Sequence, residues 1–212
     1  MTLTSYDPLV GLLEHAIDAH GGLARWQEIQ SIDVSLRCGG IAMALKGQPS
    51  VLRQFTATVD PRRPQVELHG IGTFDASTPR PAGMARRPQW GTDDVVHFAG
   101  YALWGYITAP FVLAEPDVTV RELPRRRLRV DFPPRIPTHS RRQTFHFSPD
   151  AVLMRLDYTA EVFLGPFGQA QHRCFDHVWI DGLLVPTRRR VTPRGLPLPT
   201  LVSIDIDALH AG

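Results

Sequence analysis

Residues 93–114 read DDVVHFAGYALWGYITAPFVLA, and after the opening pair of aspartates this stretch carries no Asp, Glu, Lys or Arg. Asp93 and Asp94 suit the start of a helix, where a carboxylate accepts free backbone N–H groups and favours the positive end of the dipole. His97, Tyr101, Trp104 and Thr108 follow at helical spacing on one face, with Phe98, Ala102 and Ala109 on another. Pro110 has no backbone N–H and should end or kink the helix. A helix that is apolar all round must be covered all round. In a chain otherwise rich in strand patterns, that predicts a sheet curved around the helix. Gly100, Gly105, Pro110 and the polar His97 and Thr108 argue against a membrane span over 95–114.

Working outward, the N-terminal segment is a second, amphipathic helix. Asp7 caps its start and Pro8 takes its first turn. Leu9, Leu12, Leu13, Ala16, Ile17 and His20 form one stripe, and Gly21-Gly22 stops it. A short turn with Leu23, Trp26 and Ile29 on one side follows. From residue 30 the period becomes two: Ile32, Val34 and Leu36 alternate with Ser31, Asp33, Ser35 and Arg37. Gly39-Gly40 reads as a hairpin turn, with Ile41–Lys46 returning and Val51–Val59 as a third strand. Val66–Gly70 is a fourth, extended by Ile71–Phe74 past the glycines. Residues 75–91, with Pro79, Pro81 and Pro88, read as irregular. Beyond the aromatic helix, strands are expected at 118–123, 128–132, 143–147, 152–160, 172–180, 183–191 and 201–206. Ser148-Pro149-Asp150 and Asp181-Gly182 read as hairpin turns. The fold class is therefore α+β, mainly β: a curved antiparallel meander, an incomplete barrel, with helices on its concave face. Residues 1–212 read as a single half-barrel domain.

Composition narrows the function classes. Of the 212 residues 43% are apolar and 21% charged, with a net charge of +2, which is ordinary for a globular protein. Lys46 is the single lysine. The arginine runs 125–127, 141–142 and 188–190 read as solvated strand ends and loops, so no nucleic-acid partner is expected. Cys38 and Cys174 have no metal or redox spacing and are expected to be reduced. The nine histidines show no HxH, HxxxH or HExxH pattern. Gly70-Ile71-Gly72 lacks the third glycine and the helix of a dinucleotide site. No metal and no cofactor are expected. The opening residues lack the basic and unbroken apolar regions of an export signal, which gives a soluble, cytoplasmic protein with no stable membrane insertion as the expectation.

The junction HGGLARWQEIQSIDVSL, with Gly21-Gly22, Trp26, Ile29 and Ile32, resembles the lipoprotein carrier and sorting proteins of the bacterial envelope, the LolA and LolB type. The closing strands FHFSPDAVLMRLDYTAEV and CFDHVWIDGLLVPTRRRVTP are similar in manner. The resemblance is one of topology along the chain. It implies an incomplete antiparallel barrel whose concave face wraps helices, with an apolar interior that takes acyl chains. The opening residues show neither an export signal nor an acylatable cysteine, so an envelope shuttle role is not the expectation.

Candidate chemistry comes from mixed polar groups on apolar faces. His97 and Tyr101 read either as an acid–base pair beside Trp104 or as packed side chains. On the strand at 172–180, Arg173, Phe175, His177 and Trp179 share one face, read as ligand-facing or as a surface stripe; His177 is the first choice for a catalytic group. Tyr158 is a candidate hydrogen-bond donor to a ligand. Trp104, Phe98, Phe145, Phe147, Phe175, Trp179 and Arg173 are the candidate ligand-binding set, and His177, Tyr158, His97 and Tyr101 the candidate catalytic set. Two functions fit. One is a binding protein holding an apolar or lipid-like small molecule. The other is a cofactor-independent cyclase, isomerase or dehydratase that acts largely by positioning.

Overall fold

A computed structural model describes residues 11–163, 168–195 and 199–212. Eleven strands form a single open antiparallel sheet: β1 (Ile32–Gly39), β2 (Phe55–Asp60), β3 (Gln65–Leu68), β4 (Gly72–Asp75), β5 (Thr119–Leu123), β6 (Arg127–Asp131), β7 (Arg142–Phe147), β8 (Leu153–Thr159), β9 (Gln169–Ile180), β10 (Leu183–Pro193) and β11 (Val202–Ala211). Their order is β4-β3-β2-β1-β11-β10-β9-β8-β7-β6-β5. The sheet is thus two meanders joined where β1 pairs with β11, with β4 and β5 at its two free edges. Period-two patterning decides the faces: Ile32, Val34 and Leu36 of β1 are buried, as are Phe55, Ala57 and Val59 of β2.

Among the described residues three α-helices accompany the sheet: α1 (Leu12–Ala19), α2 (Gly22–Glu28) and α3 (Thr92–Thr108). The expected cap at Asp7 and Pro8 lies outside the described residues. Gly21 and Gly22, at φ 119° and 83°, take the left-handed backbone that stops α1. α3 is the uncharged aromatic helix. Asp94 at its start is fully buried, accepting from the Gly91 N–H at 3.0 Å and from Arg87 at 2.7 Å. A 3-10 turn at Phe111–Ala114 follows Pro110, as a helix-ending proline requires.

α3 packs on β2, β3 and β4, while α1 packs near β6 and the 3-10 turn. Two contacts fix α3 on its side of the sheet. Gly100 lies so close to Phe74 that a Cβ there would stand 2.1 Å from the Phe74 Cβ. Trp104 Nε1 donates to the Asp60 carbonyl at 3.0 Å. On the other side Trp26 of α2 stacks on Phe111, with ring centres 4.4 Å apart.

Three sequence expectations change. Ile41–Lys46 is not a returning strand; Gly40 (φ 98°) opens an excursion that includes a 3-10 turn at Ala44–Lys46, and β2 begins only at Phe55. The Ala42 N–H bonds the Leu201 carbonyl and the Cys38 N–H bonds the Leu52 carbonyl, so this loop closes the end of the sheet. Ile71–Phe74 does not extend β3. Gly70 and Gly72 turn the chain back, and Phe74 pairs with Val66. In the arginine run 188–190, Arg189 is 2% exposed, facing inward, and Arg188 and Arg190 are ion-paired with Asp176 and Asp205. Asp181-Gly182 is the hairpin turn expected: both have positive φ, and Ile180 pairs with Leu183.

Candidate functional site

The side of α3 turned away from β2–β4 carries small residues. Ala99 and Ala102 face β1, β10 and β11 across a cavity of about 60 Å³. Leu36 and Cys38 of β1, Val191 of β10 and Val202 and Ile204 of β11 form the opposite wall. Ala42 and Leu52 of the loop after β1, with Phe163 and Leu201, close one end. The lining is apolar except where Tyr106, His139 and Tyr158 meet it.

Those three form a buried network. The Tyr106 hydroxyl lies 2.6 Å from His139 Nε2 and 3.2 Å from the Tyr158 hydroxyl. The His139 and Tyr158 rings stack at 4.3 Å and 6°. Tyr106 comes from the last turns of α3, Tyr158 from the end of β8 and His139 from the loop before β7, so the network ties helix to sheet. An arrangement in which Tyr158 donates to Tyr106 and Tyr106 donates to His139 satisfies both hydroxyls; Nδ1 of His139 has no partner among the described residues. Burial holds the His139 imidazole down at about 3 and pushes both tyrosines up. The network is therefore neutral at neutral pH.

Beneath it lies a second set of buried polar groups. His172 of β9 meets the Tyr106 ring edge to face at 4.4 Å, and neither of its ring nitrogens has a hydrogen-bond partner among the described residues. Burial, and next the nearby Arg189 charge, keep it neutral. Arg189 of β10 donates to the Tyr106 carbonyl at 2.7 Å and to Cys174 Sγ at 3.4 Å. Tyr106 O is one of the last carbonyls of α3, so a buried guanidinium caps the negative end of this helix. Cys38 and Cys174 are both free thiols. Three strand spacings of about 4.8 Å separate them in the row Cys174–Arg189–Ile204–Cys38, too far for a disulfide.

The sequence candidates divide. Phe98 and Tyr158 line the cavity. Tyr101 and His97 stand on the far side of His139, on an outer cleft of about 300 Å³ that Arg80, Arg141 and Glu161 also border. His97 packs edge-on to Phe74 and Tyr101, at 5.5 and 5.6 Å. Trp104 and Phe145 border a void of about 20 Å³ behind Tyr106, and Phe147 is core.

The β9 set is corrected. The inward parity of that strand is Ala170, His172 and Cys174, all buried. Arg173 is exposed and bonded to Gln171 at 2.8 Å, Phe175 lies under the Arg188 guanidinium at 5.3 Å, and Trp179 is 59% exposed. His177 is half-buried, with Nε2 bonded to the Leu153 carbonyl at 2.9 Å where β8 starts; it completes backbone pairing there and does not line the cavity.

Tyr106, His139, His172 and Arg189 were not among the sequence candidates. The step of four from Phe98 through Ala102 to Tyr106 marks the cavity face of α3. His139 and Arg189 carried no such signal, one being in a loop and the other inside an arginine run.

No family model and no curated protein matches this sequence. Among solved structures, the chain is similar to a LolA superfamily protein from Nitrosomonas europaea, with TM-score 0.43, 12% identity, and 89% of this chain and 90% of that one covered. It is also similar to a DUF1329 family protein from Desulfovibrio piger, with TM-score 0.45, 13% identity, and 97% and 94% covered. Both likenesses concern the fold alone. No helix among the described residues is long and apolar enough to cross a membrane, and no group of three metal-ligating side chains occurs among them.

Proposed function

We propose that this protein binds an apolar small molecule between α3 and the concave face of the sheet. The observation that carries this reading is the apolar cavity beside Ala99 and Ala102, ended by a hydrogen-bonding network. Ligand sites typically combine apolar walls with a few placed polar groups. At about 60 Å³ the cavity is smaller than the roughly 150 Å³ that admits a benzene-sized guest. Entry of a larger molecule therefore needs a wall to yield. α3 is held firmly on the β2–β4 side through Gly100 and Trp104, so the yielding wall is the loop 40–54, which offers Ala42 and Leu52 to the cavity and turns Ile41 and Leu45 to solvent.

A cofactor-independent enzyme is the second reading, and the Tyr106–His139 contact at 2.6 Å favours it. The electrostatics weigh against proton transfer there. The tyrosines are pushed up and the histidine down, so moving a proton from one to the other would create two unsolvated charges. Groups tuned in this way donate and accept hydrogen bonds better than they exchange protons.

The test uses Nile red, a neutral apolar dye. The purified wild type is expected to bind it with enhanced fluorescence. Ala99→Leu, which places three more carbons in the cavity, is expected to weaken binding by about tenfold without lowering thermal stability. Native mass spectrometry should find an apolar molecule that leaves the wild type and is missing from Ala99→Leu. Equal dye binding by the two proteins refutes the location.

A further inference from the structure

Arg189 is a buried cation without a counter-charge in contact: it is 2% exposed, and none of the ion pairs among the described residues includes it, although its neighbours Arg188 and Arg190 are both paired. The titratable groups that respond to it are His20, Tyr106, Tyr158, His172, Cys174 and His177. Its acceptors are a helix-end carbonyl and a thiol. The helix end supplies about half a negative charge and a thiol sulfur is a weak acceptor, whereas a buried cation is ordinarily matched by a full anion. Its Nε has no hydrogen-bond partner among the described residues, and neither has either nitrogen of His172.

This corner adjoins the cavity. Along β10 the next inward residue is Val191, and directly across on β11 is Ile204; both line the cavity. Val191 in turn stands opposite His172 on β9. The residue whose carbonyl Arg189 holds is Tyr106, and the Arg189 guanidinium lies 5.3 Å from the centre of the Tyr106 ring, which lines the same cavity. Arg189 and His172 themselves stand behind this wall, next to Val191, Ile204 and Tyr106.

We infer that the ligand is an apolar acid, whose carboxylate is held by Arg189 with help from His172, while its apolar body lies along Ala99, Ala102 and the β1–β11 wall. This rests on the reading of the cavity as a ligand site and adds the charge of the ligand. It distinguishes the buried corner from the outer cleft, where Arg80 and Arg141 are open to solvent and Arg80 already faces Glu161 at 3.7 Å.

The experiment compares octanoate with octanol, which share an apolar chain and differ in charge, by isothermal titration calorimetry at neutral pH. Wild type is expected to bind octanoate about tenfold or more tighter than octanol. Arg189→Met keeps the unbranched stem out to about the Nε position and removes the charged end. It is expected to bring the two affinities within about twofold, mostly by weakening octanoate. Equal binding of the two by wild type overturns the inference and leaves the apolar site standing. An octanoate preference that survives in Arg189→Met also overturns it, and places the anion elsewhere. Binding of neither compound removes the cavity reading along with this one. If loss of the α3 cap unfolds Arg189→Met, Arg189→Lys carries the test. Replacing the planar fork by a point charge should reduce the preference about fivefold with octanol binding unchanged, and an unchanged preference refutes the inference.

Discussion

Tyr106 is the hub of the buried network, and removing its hydroxyl separates a cooperative network from a set of packed rings. Tyr106→Phe keeps the ring, its edge contact with His172 and its carbonyl bond to Arg189. It deletes the bonds to His139 at 2.6 Å and to Tyr158 at 3.2 Å. His139 is then left without a partner at either nitrogen, since Nδ1 already has none among the described residues. The Tyr158 hydroxyl, also buried, loses its bond to Tyr106. Stranding a buried polar group costs about 1–3 kcal/mol, so two stranded groups with some relaxation amount to about 2–4 kcal/mol. For a chain of this length that is a fall in Tm of about 4–16 °C. Tyr158→Phe provides the contrast. It deletes one bond, and Tyr106 keeps His139, so the expected cost is about 0.5–1.5 kcal/mol. Urea unfolding of wild type, both single variants and the double variant at constant m-value measures these differences. Equal losses in the two single variants, or a loss below about 1 kcal/mol in Tyr106→Phe, would refute the account of the network.

Two glycines in α3 should respond in opposite directions. Gly100→Ala drives a methyl into Phe74, 2.1 Å away, and is expected to destabilise by about 1–3 kcal/mol despite the better helix propensity of alanine. At Gly105 nothing lies within 4 Å of an added Cβ, so Gly105→Ala should stabilise by about 0.5–1 kcal/mol; thermal melts of both check the pair. Stability should also fall with acid. Burial lowers His20 to about 4, His139 to about 3 and His172 well below its ordinary value. The unfolded chain therefore takes up protons first, below about pH 6.5, and each group removes up to about 1.4 kcal/mol per pH unit until its folded value is reached. These contributions are intact above that pH and decline through the range from about 6.5 to 4; urea midpoints that stay level across it would contradict the burial of these groups.

Much of the architecture was legible from local pattern. Period-two alternation in residues 32–36 and 143–147 marked strands, because a half-buried sheet needs apolar side chains on alternate residues. The uncharged stretch 95–114 implied a covered helix, since an aromatic helix exposed to water has no means of offsetting its apolar surface. The loop at 40–54 misled because Ile41–Lys46 looks strand-forming, while its conformation is set by distant bonds to Leu201 and by packing over the cavity.

The sequence by itself determined which residues are apolar, at what period they recur, and so that a sheet would curve around α3. It did not determine which parity of β9 faces inward. His172 and His177 sit on the same strand with opposite parity, and each alternation contained aromatic or histidine side chains, so local pattern could not choose between them. Only tertiary structure decided that Ala170, His172 and Cys174 face α3, because β9 takes its register from β8 and β10, which have inward sides of their own. Only tertiary structure brought Tyr106, His139, Tyr158 and Arg189 together from a helix, a loop and two strands. That convergence depends on long-range strand order, here the closure of β1 on β11, and no local propensity encodes it.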